Sequence, residues 1–304
     1  MLKNIAIFRT REAHAAHRRL SRKLLAAVLC IGSMAMASMS IAQAPTPELL
    51  FYKFDQTGTT VTNRASNPPA NTGTATLLGG LVQGGSINGT FLKAVVGSGN
   101  SSSTDYVNTG WATNLSGSFS ISFFSSEIEP SSTLFYVMGD NTAGAFRIFT
   151  NGVAGPGNWI MRGTGLNDIF LNGGAVVDTT MNTFVYDSAA QQLRTYLNGV
   201  LVSTVSQTTP QSLAGSGPFK VIGYSSNVGL NAGGKVGDVR VYSRALAPSE
   251  ITAIYNAAFV DPTEPTPPPP PAPVPTLSEW AMILLGMLLA AAAVTLIHKR
   301  RFTT

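Results

Sequence analysis

Few residues in this sequence have the types and spacing for chemistry. Glu127-Ile128-Glu129 sets two carboxylates one residue apart, so both fall on one side of an extended strand. Two carboxylates a few ångströms apart are what glycoside hydrolysis requires. Pro130-Ser131-Ser132 ends that strand with no third acid, and the pair reads better as a solvated strand end, so no catalytic residue is assigned. Calcium needs six to eight oxygens, usually with several carboxylates converging. Asp55, Asp105, Asp140 and Asp238 are the candidates that loop carbonyls could complement, each standing where an aspartate commonly forms a turn. Trp111, in Gly110-Trp111-Ala112-Thr113, and Trp159, after Pro156-Gly157-Asn158, weigh as sugar-stacking platforms against core residues, and the apolar area of a tryptophan favours core. Tyr136 and Tyr224 are strand residues on the same argument. The histidines are His14, His17 and His298, and the one cysteine is Cys30. Residues 45–273 therefore lack Ser-His-Asp and Cys-His nucleophiles and imidazole or thiolate zinc ligands.

The elements that must position these residues are strands. Residues 45–260 are dense in Gly, Ser, Thr and Asn between short apolar runs, which reads as many strands joined by turns. The clearest runs are Leu49 to Phe54, Phe119 to Phe124, Thr133 to Met138, Ala145 to Phe149, Asn158 to Met161, Phe219 to Ile222 and Val236 to Tyr242. Phe119, Ile121 and Phe123 alternate with Ser118, Ser120 and Ser122, so the apolar set should face a core and the serines the other side. Asn198-Gly199, between the runs starting at Leu193 and ending at Val205, is the dipeptide of a type I′ hairpin. One short helix follows: Pro248 suits its first position, Glu250 its first turn, and Ile251, Ile254, Tyr255 and Ala258 share a stripe. The fold class is all-β, closed by that helix.

Both ends of the chain read as addresses. Residues 1–23 hold seven Lys or Arg against Glu12, and Leu24 to Met39 is apolar, so 1–44 reads as a signal peptide for ordinary Sec export, to be cut by signal peptidase. Cleavage after Ala42 is preferred, because cleavage after Ala44 puts Pro45 first. Leu29 before Cys30 argues against lipidation, and the residues after Arg18-Arg19 fit a twin-arginine motif badly. Residues 261–273, rich in proline, form a polyproline II stalk of roughly 40 Å. Then Val274, Pro275, Thr276, Leu277, Ser278, Glu279 and Trp280 precede an uncharged run, 281–297, which as a helix would span roughly 26 Å and cross a membrane. The basic cluster at 298–301 should remain cytoplasmic, leaving the domain outside. Residues 45–261 carry ten Lys and Arg against twelve acids, a net of −2, so the +5 of the whole chain lies in the termini and does not indicate nucleic acid.

Val274 to Trp280 with its span and basic tail resembles the IPTL-CTERM bacterial sorting signal, with Val274 for the usual Ile. The resemblance implies recognition and cutting of residues 274–304 by an exosortase-like membrane enzyme. Four segments in order resemble the LamG-like, concanavalin A-like jelly rolls: Phe54 to Val61 with Thr72 to Ala75; Asp105 to Val107 with Phe119 to Phe123; Tyr196 to Gly199; and Gly234 to Leu246 with Glu250-Ile251. The family's Trp-His pair is missing around Asp178 to Val185, and Gly237 replaces an acid before Asp238. The expectation is an inner-membrane-anchored precursor delivered to the envelope, surface or exterior. There a two-sheet jelly roll over 45–260 would bind a glycan or extracellular protein without catalysis, in adhesion or matrix. The alternatives are a glycan-active hydrolase using Glu127 and Glu129, and a structural matrix component with no specific ligand. No cofactor is expected beyond the calcium just weighed.

Overall fold

The computed structural model describes residues 43–100, 104–128, 135–139, 146–150, 159–163, 169–171, 179–223, 229–262, 282–291 and 293. Two antiparallel eight-stranded sheets enclose the main core. The first sheet runs β14 (Val200–Ser206), β13 (Gln192–Leu197), β12 (Thr180–Asp187), β7 (Phe119–Ser126), β16 (Lys235–Tyr242), β5 (Lys93–Val96) and β4 (Val82–Ser86). Its eighth strand, β1 (Leu50–Tyr52), pairs with β16. The second runs β11 (Ile169–Leu171), β10 (Trp159–Arg162), β9 (Arg147–Thr150), β8 (Phe135–Gly139), β15 (Ser212–Val221), β6 (Val107–Ser116), β3 (Thr74–Leu77) and β2 (Thr60–Thr62). Alternation along each strand sends Leu50, Tyr52, Ile121 and Phe184 from the first sheet, and Val61, Ile148 and Phe219 from the second, into the shared core.

The central strands of the first sheet, β12, β7 and β16, are buried on both faces. Behind them, Phe124, Met181, Val185, Tyr196 and Tyr242 form a second apolar cluster, closed by Leu246 and by Ile251 and Ile254 of α1 (Pro248–Ala257). The helix starts where the sequence places it. Pro248 supplies a preset φ, and the Glu250 carboxylate accepts the Ala247 N–H at 2.8 Å in place of a capping side chain. Arg244 grips that carboxylate with two bonds of 2.8 Å and reaches Glu48 at 3.0 Å. The Arg244 hydrogen bonds hold the Glu250 carboxyl below its ordinary value, even though partial burial pushes the other way.

The apolar face of β7 points inward as its alternation requires, but the serine face is not half-exposed: all eight residues of the strand are buried. Ser120 shows why a small polar residue suits that face. Its hydroxyl donates to the Arg244 carbonyl at 2.8 Å and accepts the Leu246 N–H at 3.0 Å, tying the approach to α1 onto the sheet. Residues 282–291 are helical with apolar side chains exposed, and among the described residues no helix is long and apolar enough to cross a membrane. Only part of the expected span at 281–297 falls within the described residues. The sorting motif at 274–280, the signal peptide up to Ala42 and the stalk beyond Pro262 lie outside them.

Candidate functional site

Polar side chains from separate segments meet at an accessible place at the end of β7. Glu127, the first residue past that strand, adopts a left-handed φ of 57° and turns the chain out of the sheet. Lys235 opens β16 directly beside Ser126, which brings its Nζ to 2.5 Å from Glu127 Oε1. Asn88, in the turn between β4 and β5, donates its Nδ2 to the same oxygen at 3.0 Å, and Asn231 Nδ2 donates to the Glu127 backbone carbonyl at 3.1 Å. Thr179, entering β12, donates its hydroxyl to the Asn88 carbonyl at 3.0 Å and lies 3.3 Å from Ser126 Oγ. Four segments of the first sheet thus meet around Glu127, whose carboxylate accepts from Lys235 and Asn88 and whose side chain remains 40% exposed while Lys235 is 16% exposed. Paired with the ammonium, Glu127 is a hydrogen-bond acceptor, and its Oε2 engages no described donor. A carboxylate flanked by carboxamides, a hydroxyl and an ammonium offers donors and acceptors to a hydroxyl-rich or amide-bearing ligand. Glu129, the other member of the carboxylate pair, lies outside the described residues.

The other candidates are not gathered at this site. Asp55 pairs with Arg64 at 2.7 Å on the surface. Asp105 is buried, accepting the Gly80 N–H at 3.0 Å and the Ser98 hydroxyl, and so clamps two turns together. Asp238 binds Arg240 in bidentate fashion at 2.8 and 3.2 Å. Asp140 is outside the described residues. Among the described residues no group of three or more His, Cys, Asp or Glu could hold a metal ion. Trp111 is 7% exposed and packs edge-on against Phe219 at 5.7 Å inside the main core, so its ring is not open to stack on a sugar. Trp159 opens β10, with its side chain outside the described set, and Tyr224 is outside it too. Tyr136 lies in β8, its side chain undescribed. Of the residues around Glu127, sequence reasoning singled out none. Lys235 is 108 positions away and Asn231 is 104, and no local spacing signals such contacts.

The profile of the concanavalin A-like lectin/glucanases superfamily matches residues 100–252, which is 153 of 304 residues, and that of the IPTL-CTERM motif matches 272–301. The first match omits β1 to β5, which the structure places in both sheets. No curated protein matches the chain. Among solved structures, the binding domain of Paraclostridial Mosquitocidal Protein 1 is similar at 16% identity and a TM-score of 0.50, over 69% of this chain and 52% of that one. The botulinum neurotoxin type G receptor-binding domain is similar at 12% identity and a TM-score of 0.50, over 69% and 51%. The chain thus spans about half the length of these structures, and the likeness is one of fold.

Proposed function

Since the chain belongs to the concanavalin A-like lectin/glucanases superfamily and carries an IPTL-CTERM motif, we propose that it is an exported envelope protein whose jelly roll recognises a ligand without catalysing a reaction. The export route combines the signal peptide at 1–44, the stalk at 261–273 and the tail at 274–304, cut by an exosortase-like enzyme after a stage anchored in the inner membrane. The ligand is a glycan or an extracellular protein, engaged in adhesion or matrix. One observation carries the binding reading: the exposed carboxylate of Glu127, held in place by Lys235 and Asn88 at the rim of the first sheet. A carboxylate so fixed is preorganised to accept hydrogen bonds from hydroxyl groups. That the similar solved structures are binding domains points the same way.

A glycan-array screen of residues 43–262 tests the reading, followed by titration of the best glycan against the Glu127→Gln and Asn88→Ala variants. Binding should fall roughly ten- to hundredfold in Glu127→Gln, as expected for losing a hydrogen bond to a charged group. Unchanged affinity in both variants would move the site elsewhere. Release of shorter sugars from the bound glycan would replace recognition with hydrolysis.

A further inference from the structure

The outer strand of the first sheet is built unlike its neighbours. In β14, Val200 is 65% exposed, Leu201 49%, Val202 50% and Val205 37%, so apolar side chains meet solvent along the whole strand. Among the described residues β14 pairs with β13 alone, leaving the outward-pointing N–H and C=O groups of its far edge available to another strand. Sheet edges are ordinarily guarded by lysine, proline or other charges. Here no charged residue occurs from Thr195 through Phe219, and β14 contains no proline. One irregularity is present: the register passes from Thr195 opposite Ser203 to Tyr196 opposite Leu201, so Val202 is an extra residue in the ladder. Beyond that bulge, Ser203 to Ser206 stay in regular register with β13 and present a straight edge.

We propose that this edge is a contact between copies of the chain, in which β14 pairs antiparallel with β14 of a second copy and joins two first sheets into one. A two-fold axis at Thr204 sets Ser203 opposite Val205 of the other copy. Val202 then falls opposite its Ser206 and Leu201 opposite its Gln207. The strand is uncharged, so self-pairing brings no like charges face to face. Edge-to-edge contact of this length buries on the order of 300–400 Å² per copy, against the ~800 Å² per partner of a stable complex. Freely diffusing molecules therefore associate weakly, and copies confined to one surface associate through their high effective concentration. That confinement rests on the envelope reading above.

The mature chain has no cysteine, which makes the test direct. Full-length chain is expressed in bacteria with Thr204→Cys, or with Thr76→Cys, an exposed position on the second sheet, and intact cells are treated with a mild oxidant. Thr204→Cys should give a disulfide-linked dimer at least about tenfold above Thr76→Cys. Adding Val200→Lys and Val202→Lys should bring it down to that background, because like charges then line both edges. An impermeant maleimide tests display separately, since it labels Thr76→Cys only if the domain is outside. Labelling there without a Thr204→Cys dimer, or a dimer that survives the two lysines, overturns the edge pairing. Absence of labelling instead overturns the envelope reading.

Discussion

At the scale of single residues, the buried charge pair on β16 is the most exposed to substitution. Asp238 adopts a left-handed φ of 49° in a bulge, just where β16 stops pairing with β5 and starts pairing with β1. The bulge lets its carboxylate meet Arg240 on the outer face, where the guanidinium also lies 4.5 Å over the Phe51 ring. Burial alone would lower the pKa of Arg240, but the charges and hydrogen bonds of Asp238 and Tyr242 together outweigh it and hold the guanidinium above its ordinary value. Arg240→Ala leaves that carboxylate buried without its partner and should cost about 3–5 kcal/mol in urea unfolding. A loss below 1 kcal/mol would mean that the carboxylate finds water. Two residues on, burial pushes Tyr242 up to about 12, while its hydroxyl donates to the Pro45 carbonyl at 3.0 Å. A phenol whose pKa is raised on folding contributes stability that is complete below about 10, its unfolded value, and is lost as pH rises through the folded value. Unfolding free energy should therefore fall across alkaline pH up to about 12. The fall should be shallower in Tyr242→Phe but not absent, because burial also raises Tyr52. An unchanged slope would assign the effect to other groups.

At the scale of elements, legibility followed how local each constraint is. The β13–β14 hairpin was readable because a type I′ turn needs two adjacent residues at positive φ, and Asn198 and Gly199 have φ of 50° and 81°. Gly199→Val should therefore lower stability by about 1–2 kcal/mol through left-handed strain. The Cβ of any side chain introduced there would lie 3.4 Å from Thr252 Cα, an ordinary van der Waals contact, so the cost is backbone strain and not a clash with the helix. A neutral unfolding midpoint would show a looser turn. The α1 helix was readable from Pro248, Glu250 and its apolar stripe. The burial of both faces of β7 was not, because serine alternation signals a polar face and does not reveal that Arg244 to Leu246 fold back over it. The hydroxyl of Ser120 stands in for backbone partners there, and no pattern along β7 itself announces that. The Glu127 cluster was opaque for a related reason: its members come from four separated segments, and only the sheet order brings them together.

At the scale of the whole molecule, the sorting tail was legible because its motif, apolar run and basic end are contiguous, and the profile match over 272–301 agrees with that reading. Membrane affinity lies in the apolar run, so a motif that served only as a linker could be scrambled without effect. A motif read by an enzyme must present a defined backbone, which Pro275 favours by holding Val274 extended. Replacing Pro275, Thr276 and Leu277 with alanine should leave an uncut precursor, whereas the native chain should lose the residues beyond the motif. Intact-mass measurement on surface material separates the two, and a native chain still ending in Phe302-Thr303-Thr304 would dismiss sorting. The pairing of β1 with β16 also sets a clock. Leu50 stands opposite Val241 in the ladder, so the first strand waits for a partner some 190 residues later. On the export reading proposed above, a chain threaded amino end first through a translocon would expose Tyr242 only 38 residues before the apolar run at 281–297 reaches the membrane. Until then the first sheet lacks the strand that β1, β5 and β7 all share, and closing so long a loop is slow. Passage would thus run ahead of folding, and the domain would close almost as its tail arrives at the membrane.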